Sequence, residues 1–123
     1  MVVGGDFNAD PRASSVAFWR GERSLEGTSV CYWDAWERAC PGQAGHTFTA
    51  RNPLVSENKP APGRERRMDY LLLRCEDSLY GPTLEVSSCE LVFDKPVDGV
   101  WGSDHFGVVA DLSFQPTGGR TVR

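Results

Sequence analysis

The sequence predicts a mixed α/β or α+β domain, because strand-like and helix-like apolar patterns both occur along it. Residues 70–73 and 107–110 form short apolar runs, as is typical of strands, within the segments 67–74 and 107–114. Around Val16 and Trp36, apolar residues instead recur at helical spacing. The 123 residues include 13 glycines and 8 prolines, which separate these segments and fit one small domain or part of a larger one.

The N-terminal segment is expected to contain a strand end, a loop and a short helix. Residues 1–5 are predicted to be the end of a buried strand. Because only three residues precede the glycines, we expect the chain to begin inside a longer domain. A loop is expected over residues 6–12. A helix capped by Ser14 or Ser15 should follow and end near Gly21, with an apolar face of Val16, Phe18 and Trp19.

A second helix is predicted over residues 31–39, and the Pro41-Gly42 pair would end it. Its apolar face would consist of Tyr32, Ala35, Trp36 and Ala39. The remaining chain predicts strands joined by loops. In order, we expect a strand over 46–50, a loop over 52–66, strands over 67–74 and 83–93, a loop over 94–102, a strand over 107–114 and a flexible tail over 115–123.

Charge and composition argue against several classes of function. The net charge of −4 and pI of about 5.1 do not suit a nonspecific nucleic-acid coat or a basic membrane-surface module. The apolar runs are too short for a transmembrane helix and no signal peptide is visible, so a cytoplasmic location is expected.

The four cysteines include no C-x-x-C pair, so a zinc knuckle is not indicated. Reduced thiols are expected, with one incidental disulfide left open for an exported protein. The cysteines are Cys31, Cys40, Cys75 and Cys89.

Two acidic residues stand at or near predicted strand ends. In Gly4-Gly5-Asp6-Phe7-Asn8 a carboxylate and an amide follow a strand, a pairing that suits a hard cation or a phosphate-bound water, although an ordinary turn has the same composition. In the strand 67–74, alternation places Asp69 on one face with Arg67 and Leu71. Asp69 is then either an edge residue facing water or Arg67, or a buried carboxylate that orients a histidine.

A third segment, Gly102-Ser103-Asp104-His105-Phe106-Gly107, places an acid–base group and a metal ligand just before the last strand. The other histidine, His46, has no acidic neighbour in sequence and is interpreted as structural. A basic stretch before Asp69 could meet a phosphate, and a solvated run of charge is an equally good interpretation. Its members are Arg51, Lys59, Arg64, Arg66 and Arg67.

Gly-Asp-Phe-Asn, Arg-Arg-Met-Asp-Tyr and Ser-Asp-His, in this order, resemble the C-terminal half of the endonuclease/exonuclease/phosphatase superfamily. The resemblance spans residues 1–114. It implies half of a DNase I-like four-layer α/β sandwich: one mainly antiparallel sheet with covering helices. It also implies a metal-dependent phosphoesterase, in which an activated water hydrolyses a phosphodiester or phosphomonoester.

The resemblance also implies a role for each matching residue. Asp6 would position or deprotonate the attacking water and lie near the metal, and Asn8 would hold that water and the scissile phosphate. Asp69 would accept a hydrogen bond from the catalytic His105, which would contact the phosphate. Asp104 would lie near the metal. With the basic stretch, the expected phosphate contacts are Asn8, His105 and Arg67.

The superfamily's N-terminal half supplies an asparagine and a glutamate that hold the principal Mg²⁺, and neither motif occurs in this sequence. We therefore expect a half-domain that binds Mg²⁺ or Mn²⁺ weakly and lacks turnover by itself. A non-catalytic fragment that associates with a partner, or with its missing half, is the alternative. A plain structural or interaction domain with chance motifs is a third reading.

The substrate stays open among a small molecule, a lipid headgroup and a nucleic acid. The stretch 46–53 is similar to one in sphingomyelinase-like members, which favours a small or lipid phosphodiester slightly, as does the acidic pI. If the sheet lacks its mate, an exposed apolar face would invite self-association. Candidate residues for that face are Leu71, Leu73, Val108 or Val109, and Leu112.

Overall fold

A computed structural model of the chain describes residues 1–55, 64–76 and 81–114. Within them the elements are β1 (Val2–Asp6), α1 (Ser14–Trp19), β2 (Tyr32–Asp34), α2 (Ala35–Ala39), β3 (Asp69–Arg74), β4 (Leu84–Val92) and β5 (Gly107–Phe114). The mixed α/β class predicted from the sequence is confirmed. The predicted tail 115–123 and part of the predicted loop 52–66 lie outside the described residues. In the described ranges, none of the helices has the length and apolar character that a membrane crossing requires.

The first sheet has three antiparallel strands in the order β1-β3-β2. β3 is central, and its apolar run Tyr70–Leu73 matches this position, because a central strand can bury side chains on both faces. The register places Asp6 of β1 directly opposite Asp69, at the start of β3. At the other end of β3, Arg74 pairs with Tyr32 of β2.

The second sheet consists of β4 and β5, which pair antiparallel with a register shift between Val86 and Ser88. The expectation of one sheet is therefore wrong, because the described strands form two sheets. The expected antiparallel pairing is present in both sheets. Both hydrogen-bonding edges of β3 are already paired, with β1 and β2. β5 can then meet β3 only by packing on its face, which makes it part of another sheet.

Two apolar clusters cover the opposite faces of β3. The first contains Tyr70 and Leu72, together with Tyr32 and, from α1, Val16. The second contains Leu73, with Leu71 half-buried beside it. This cluster extends to α2, β4 and β5, and its members there include Ala35, Trp36, Cys89, Val108 and Ala110. Alternation along β3 thus sends successive side chains into different cores. Asp69 has the parity of Leu71 and Leu73, so its side chain lies on the face that β5 covers.

Leu71 and Leu73 therefore do not form the exposed apolar face expected from the sequence. Leu73 is 1% exposed, and Leu71 and Val108 pack against the same cluster. Two of the other candidates, Val109 (41%) and Leu112 (38%), are exposed along β5 as expected. Covering by the second sheet explains the difference, because the sequence analysis treated all the strands as members of one sheet.

The predicted helix 31–39 is wrong in its first half. Residues Tyr32–Asp34 form β2, and the helix begins only at Ala35. The side chain of Asp34 accepts hydrogen bonds from the backbone N–H groups of Trp36 and Glu37, at 3.0 and 3.5 Å, which makes it the N-cap. An N-cap residue is extended rather than helical, so this contact separates strand from helix.

Three smaller expectations also need correction. β1 is an edge strand within the described residues and is mostly exposed, not buried, because its only pairing there is with β3. α1 begins at Ser14, but its N-cap is Ala13, which makes no side-chain capping bond. Residues 46–50 do not form a strand; the segment makes an isolated bridge between Phe48 and Arg66.

Candidate active site

The β1–β3 register brings the first two sequence motifs together. Asp6 and Asp69 face each other across the two strands, and Phe7 continues the pairing by donating its N–H to the carbonyl of Met68 at 2.8 Å. Just beyond, the backbone N–H of Asn8 donates to Oδ1 of Asp6 at 2.7 Å. Asn8 has φ +46°, a left-handed conformation that asparagine tolerates better than most residues. The carboxylate and amide of the first motif are thus held in one tight turn.

The second and third motifs meet through a hydrogen bond between side chains. Nδ1 of His105 lies 2.8 Å from Oδ2 of Asp69, and both side chains are 20% exposed. An ionised carboxylate can only accept, so Nδ1 carries the proton and donates. The ring of Phe48 packs on the imidazole with centroids 5.2 Å apart. The predicted hydrogen bond from His105 to Asp69 is therefore confirmed, and Nε2 is left as the ring nitrogen that can face a substrate.

Tyr70, beside Asp69 in the second motif, ties that motif to the first. Its hydroxyl is within bonding distance of the carbonyls of Ala9, at 2.7 Å, and Arg67, at 3.0 Å, and donates there. Ala9 directly follows Asn8, so this contact anchors the turn that carries the amide. Burial raises the pKa of Tyr70, which keeps the phenol protonated and able to donate.

Thr47 joins the second motif to the third, and the sequence analysis did not single it out. The residue is fully buried, and its hydroxyl oxygen accepts from the backbone N–H groups of Met68 and Asp69, at 3.0 and 3.3 Å. Its carbonyl accepts from the N–H of Phe106 at 2.8 Å. One residue therefore fixes the backbone beside both Asp69 and His105.

Asn52 fixes the loop before His105 in the same way. It is fully buried and donates from Nδ2 to the carbonyl of Ser103 at 2.8 Å, while its Oδ1 accepts from the N–H of Leu54 at 3.0 Å. Ser103 in turn accepts from the N–H of His105 at 3.1 Å. The sequence signal for both supports was the run of Thr and Asn over 46–53, which the sequence analysis used as a clue to substrate and, over 46–50, as a predicted strand.

Asp6, Asp69 and His105 form a candidate metal site. Their ligand atoms all lie within 4.8 Å of one another. Each carboxylate has one oxygen engaged, Asp6 with Asn8 and Asp69 with His105, and a second oxygen that can coordinate an ion. Two carboxylate oxygens with water completing the shell suit Mg²⁺ or Mn²⁺, so the donor set fits such an ion.

Apart from Asn8, which adjoins Asp6, two of the expected site residues lie outside this cluster. Asp104 is exposed, accepts from the Ser103 hydroxyl at 3.4 Å, and is not part of the three-residue group. Arg67 is buried, with its guanidinium 2.7 Å from Asp34, 3.3 Å from Glu37 and stacked over the ring of Tyr70.

Arg67 and Asp69 therefore do not share a face as alternation predicted. The regular strand begins only at Asp69, so the alternation rule does not extend back to Arg67. Of the other basic residues, Arg66 pairs with Asp10, Arg51 lies over the Phe106 ring, Arg64 is exposed, and Lys59 is outside the described residues.

One protein-family model covers all three motifs. The family model described as "Endonuclease/Exonuclease/phosphatase family" matches residues 1–105, a range that includes every residue of the site. No curated protein and no solved structure gives a match. Two antiparallel sheets with few helices are consistent with part of a DNase I-like fold.

Proposed function

The chain belongs to the endonuclease/exonuclease/phosphatase family, and on that basis we propose that its site takes part in metal-dependent phosphoester hydrolysis. The resemblance noted from the three motifs is thereby confirmed. Membership implies a hydrolase acting on phosphoester bonds in general. The single observation that carries the proposal for this chain is the 2.8 Å contact between His105 and Asp69, with Asp6 directly opposite Asp69 in the sheet.

His105 is proposed as the group that contacts the phosphate. With Nδ1–H donated to Asp69, Nε2 can accept a proton when the ring is neutral or donate to a phosphate oxygen when it is charged. Asp69 then acts as a positioning residue: it holds the tautomer and stabilises the imidazolium without touching the substrate. General acid–base transfer of this kind contributes about 10²- to 10⁴-fold to a rate.

Asp6 and Asn8 are proposed to hold the attacking water and the phosphate. The turn between them leaves Oδ2 of Asp6 as the oxygen that can accept a proton from water or coordinate an ion. A divalent ion held by Asp6 and Asp69 would add positive charge next to the phosphate, where negative charge develops. Asp104, in the loop beside His105, is proposed to lie near the ion as well. Arg67 is not included, because its guanidinium is engaged in a buried ion pair.

We keep the expectation that ion binding by this chain is weak, because two carboxylates are few ligands for Mg²⁺. Turnover by the chain itself should then be slow or below detection, and the alternative function is a non-catalytic fragment that associates with its missing half or another partner. A small or lipid phosphodiester is proposed over DNA because of the acidic pI of about 5.1. Cytoplasmic location remains a prediction, as does self-association, for which the exposed candidates Val109 and Leu112 of β5 are left.

A titration with inorganic phosphate in the presence of Mg²⁺ tests the site directly. The chain has two histidines. In ¹H–¹⁵N spectra the imidazole signals of His105 report phosphate binding, and those of His46 serve as an internal control. We expect a saturable shift of the His105 ring that is weakened in Asp6→Ala, with His46 unaffected. Equal shifts at both rings, or none at His105, would refute the proposed phosphate contact.

Catalysis is tested separately, by hydrolysis of bis(4-nitrophenyl) phosphate with Mg²⁺ or Mn²⁺. Any metal-dependent turnover should fall about 10²- to 10⁴-fold in His105→Ala and in Asp69→Asn, and persist in the matched control His46→Ala. Saturable phosphate binding without turnover would favour the non-catalytic alternative. Turnover that survives His105→Ala would contradict the assigned role of that residue.

A further inference from the structure

Two cysteines that the proposed function does not use lie together at the end of the first sheet farthest from the site. Cys31 directly precedes β2 and Cys75 directly follows β3. The backbone N–H of Cys75 donates to the carbonyl of Cys31 at 2.9 Å, next to the Tyr32–Arg74 pair of the β2–β3 ladder. The two residues are thus a further cross-strand pair. Their Sγ atoms lie 2.9 Å apart.

This geometry suits a disulfide bond. Residues directly opposite in an antiparallel pair have Cα atoms about 4.5–5.5 Å apart, within the range of about 4.4–6.8 Å that disulfides span. The sulfur atoms need to approach by about 0.9 Å to reach a bond length of about 2.04 Å. We propose that Cys31 and Cys75 are a thiol–disulfide exchange site, which a small-molecule disulfide such as oxidised glutathione converts to an intrachain disulfide.

The exchange has two balanced steps. Cys31 is partly exposed and Cys75 is buried, so Cys31 is the thiol that reaches the reagent. Cys31 loses its proton to water, its thiolate attacks one sulfur of the glutathione disulfide, and one glutathione thiolate leaves. Cys75, deprotonated in turn, then attacks the sulfur of Cys31 and expels the second glutathione thiolate. The protein loses two electrons and two protons, and one glutathione disulfide becomes two thiols.

The other two cysteines provide a matched comparison within the same chain. The thiol of Cys40 donates to the backbone carbonyl of Cys89 at 3.2 Å. Cys89 is buried, and burial raises the pKa of its thiol to about 11, so little thiolate is present near neutral pH. A disulfide between Cys40 and Cys89 should therefore form slowly.

The disulfide would connect residues 44 positions apart and close a loop that contains Thr47, Asn52 and Asp69. Closing a loop of this length constrains the unfolded chain, so the oxidised protein should unfold at a Tm roughly 10 °C higher. Cys75 lies six positions beyond Asp69 along the extended β3, which is about 20 Å. The bond should therefore stabilise the fold without contacting the Asp69–His105 pair.

Peptide mapping of the full chain in glutathione buffers of increasing oxidised fraction tests the proposal. After alkylation, trypsin separates Cys31 from Cys40 at Arg38, and a Glu-specific protease separates Cys75 from Cys89. We expect a cross-linked Cys31–Cys75 peptide, two fewer alkylated thiols and the higher Tm. The double variant Cys40→Ala/Cys89→Ala should behave the same, whereas Cys31→Ser and Cys75→Ser should show neither the cross-link nor the Tm shift.

Three outcomes would overturn the proposal. In the first, both Cys31 and Cys75 are still alkylated after incubation in fully oxidised glutathione. In the second, Cys31 stops at the mixed disulfide with glutathione. In the third, the cross-link joins Cys40 to Cys89 instead. The mapping is read on the wild-type chain, so it stays decisive even where a serine variant fails to fold.

Discussion

Replacement of Arg67 by methionine should lower the free energy of unfolding by about 3–5 kcal/mol. The Arg67 and Asp34 side chains are 3% and 1% exposed and lie 2.7 Å apart. Removing one member leaves the other charge buried without its partner, and such losses are about 3–5 kcal/mol. Methionine preserves apolar contact with the ring of Tyr70, over which the guanidinium is stacked, so the loss reports mainly on charge.

The partner residue allows the coupling to be measured in a double-mutant cycle. Asp34→Asn removes the charge but leaves a side chain that can still cap α2, so its cost should also come mainly from the buried pair. The double variant Asp34→Asn/Arg67→Met leaves no isolated charge. It should therefore be less destabilised than the sum of the single variants, by about 1–3 kcal/mol.

The assay is urea unfolding followed by tryptophan fluorescence, with Arg66→Met as the matched control. Arg66 is the neighbouring arginine and also forms an ion pair, with Asp10 at 3.2 Å, but the two side chains are 37% and 49% exposed. Such surface pairs contribute about 0–1 kcal/mol, so the control should stay close to the wild type. If Arg67→Met cost no more than Arg66→Met, and weakened phosphate binding instead, the structural role of Arg67 would be refuted.

Three further changes test other parts of the fold. Thr47→Val should cost about 1–3 kcal/mol in urea unfolding, because two backbone N–H groups lose their buried acceptor; a loss under about 0.5 kcal/mol would contradict this. Gly45→Ala should lower Tm more than Gly42→Ala, since both glycines have positive φ but only at Gly45 would a Cβ overlap the indole of Trp36; equal shifts would show that the ring moves aside. Stability should fall as pH rises from about 9 to about 11, because burial raises the pKa of Cys89 to about 11 and the unfolded thiol ionises first; Cys89→Ala should lack that part of the pH dependence.

The sequence alone was enough to identify the candidate site residues and the strands beside them. Asp6, Asp69 and His105 stand in short motifs whose order along the chain indicates the family, and the structure brings the three together. The sequence predicted β3 and β5 because the apolar run in each strand is a local pattern. Chemistry-bearing residues next to such runs can be recognised without knowing what the strands pack against.

Contacts between distant segments decided the rest. Whether Arg67 faces a phosphate or a buried carboxylate depends on Asp34, which is 33 positions away in sequence and comes near only when β2 pairs with β3. Thr47 supports the site because its hydroxyl reaches the start of β3 and its carbonyl reaches Phe106. The number of sheets followed from the two occupied edges of β3. Periodicity assigns a residue to a face of its own element, but the partner that covers that face is set by tertiary packing, which no local pattern encodes.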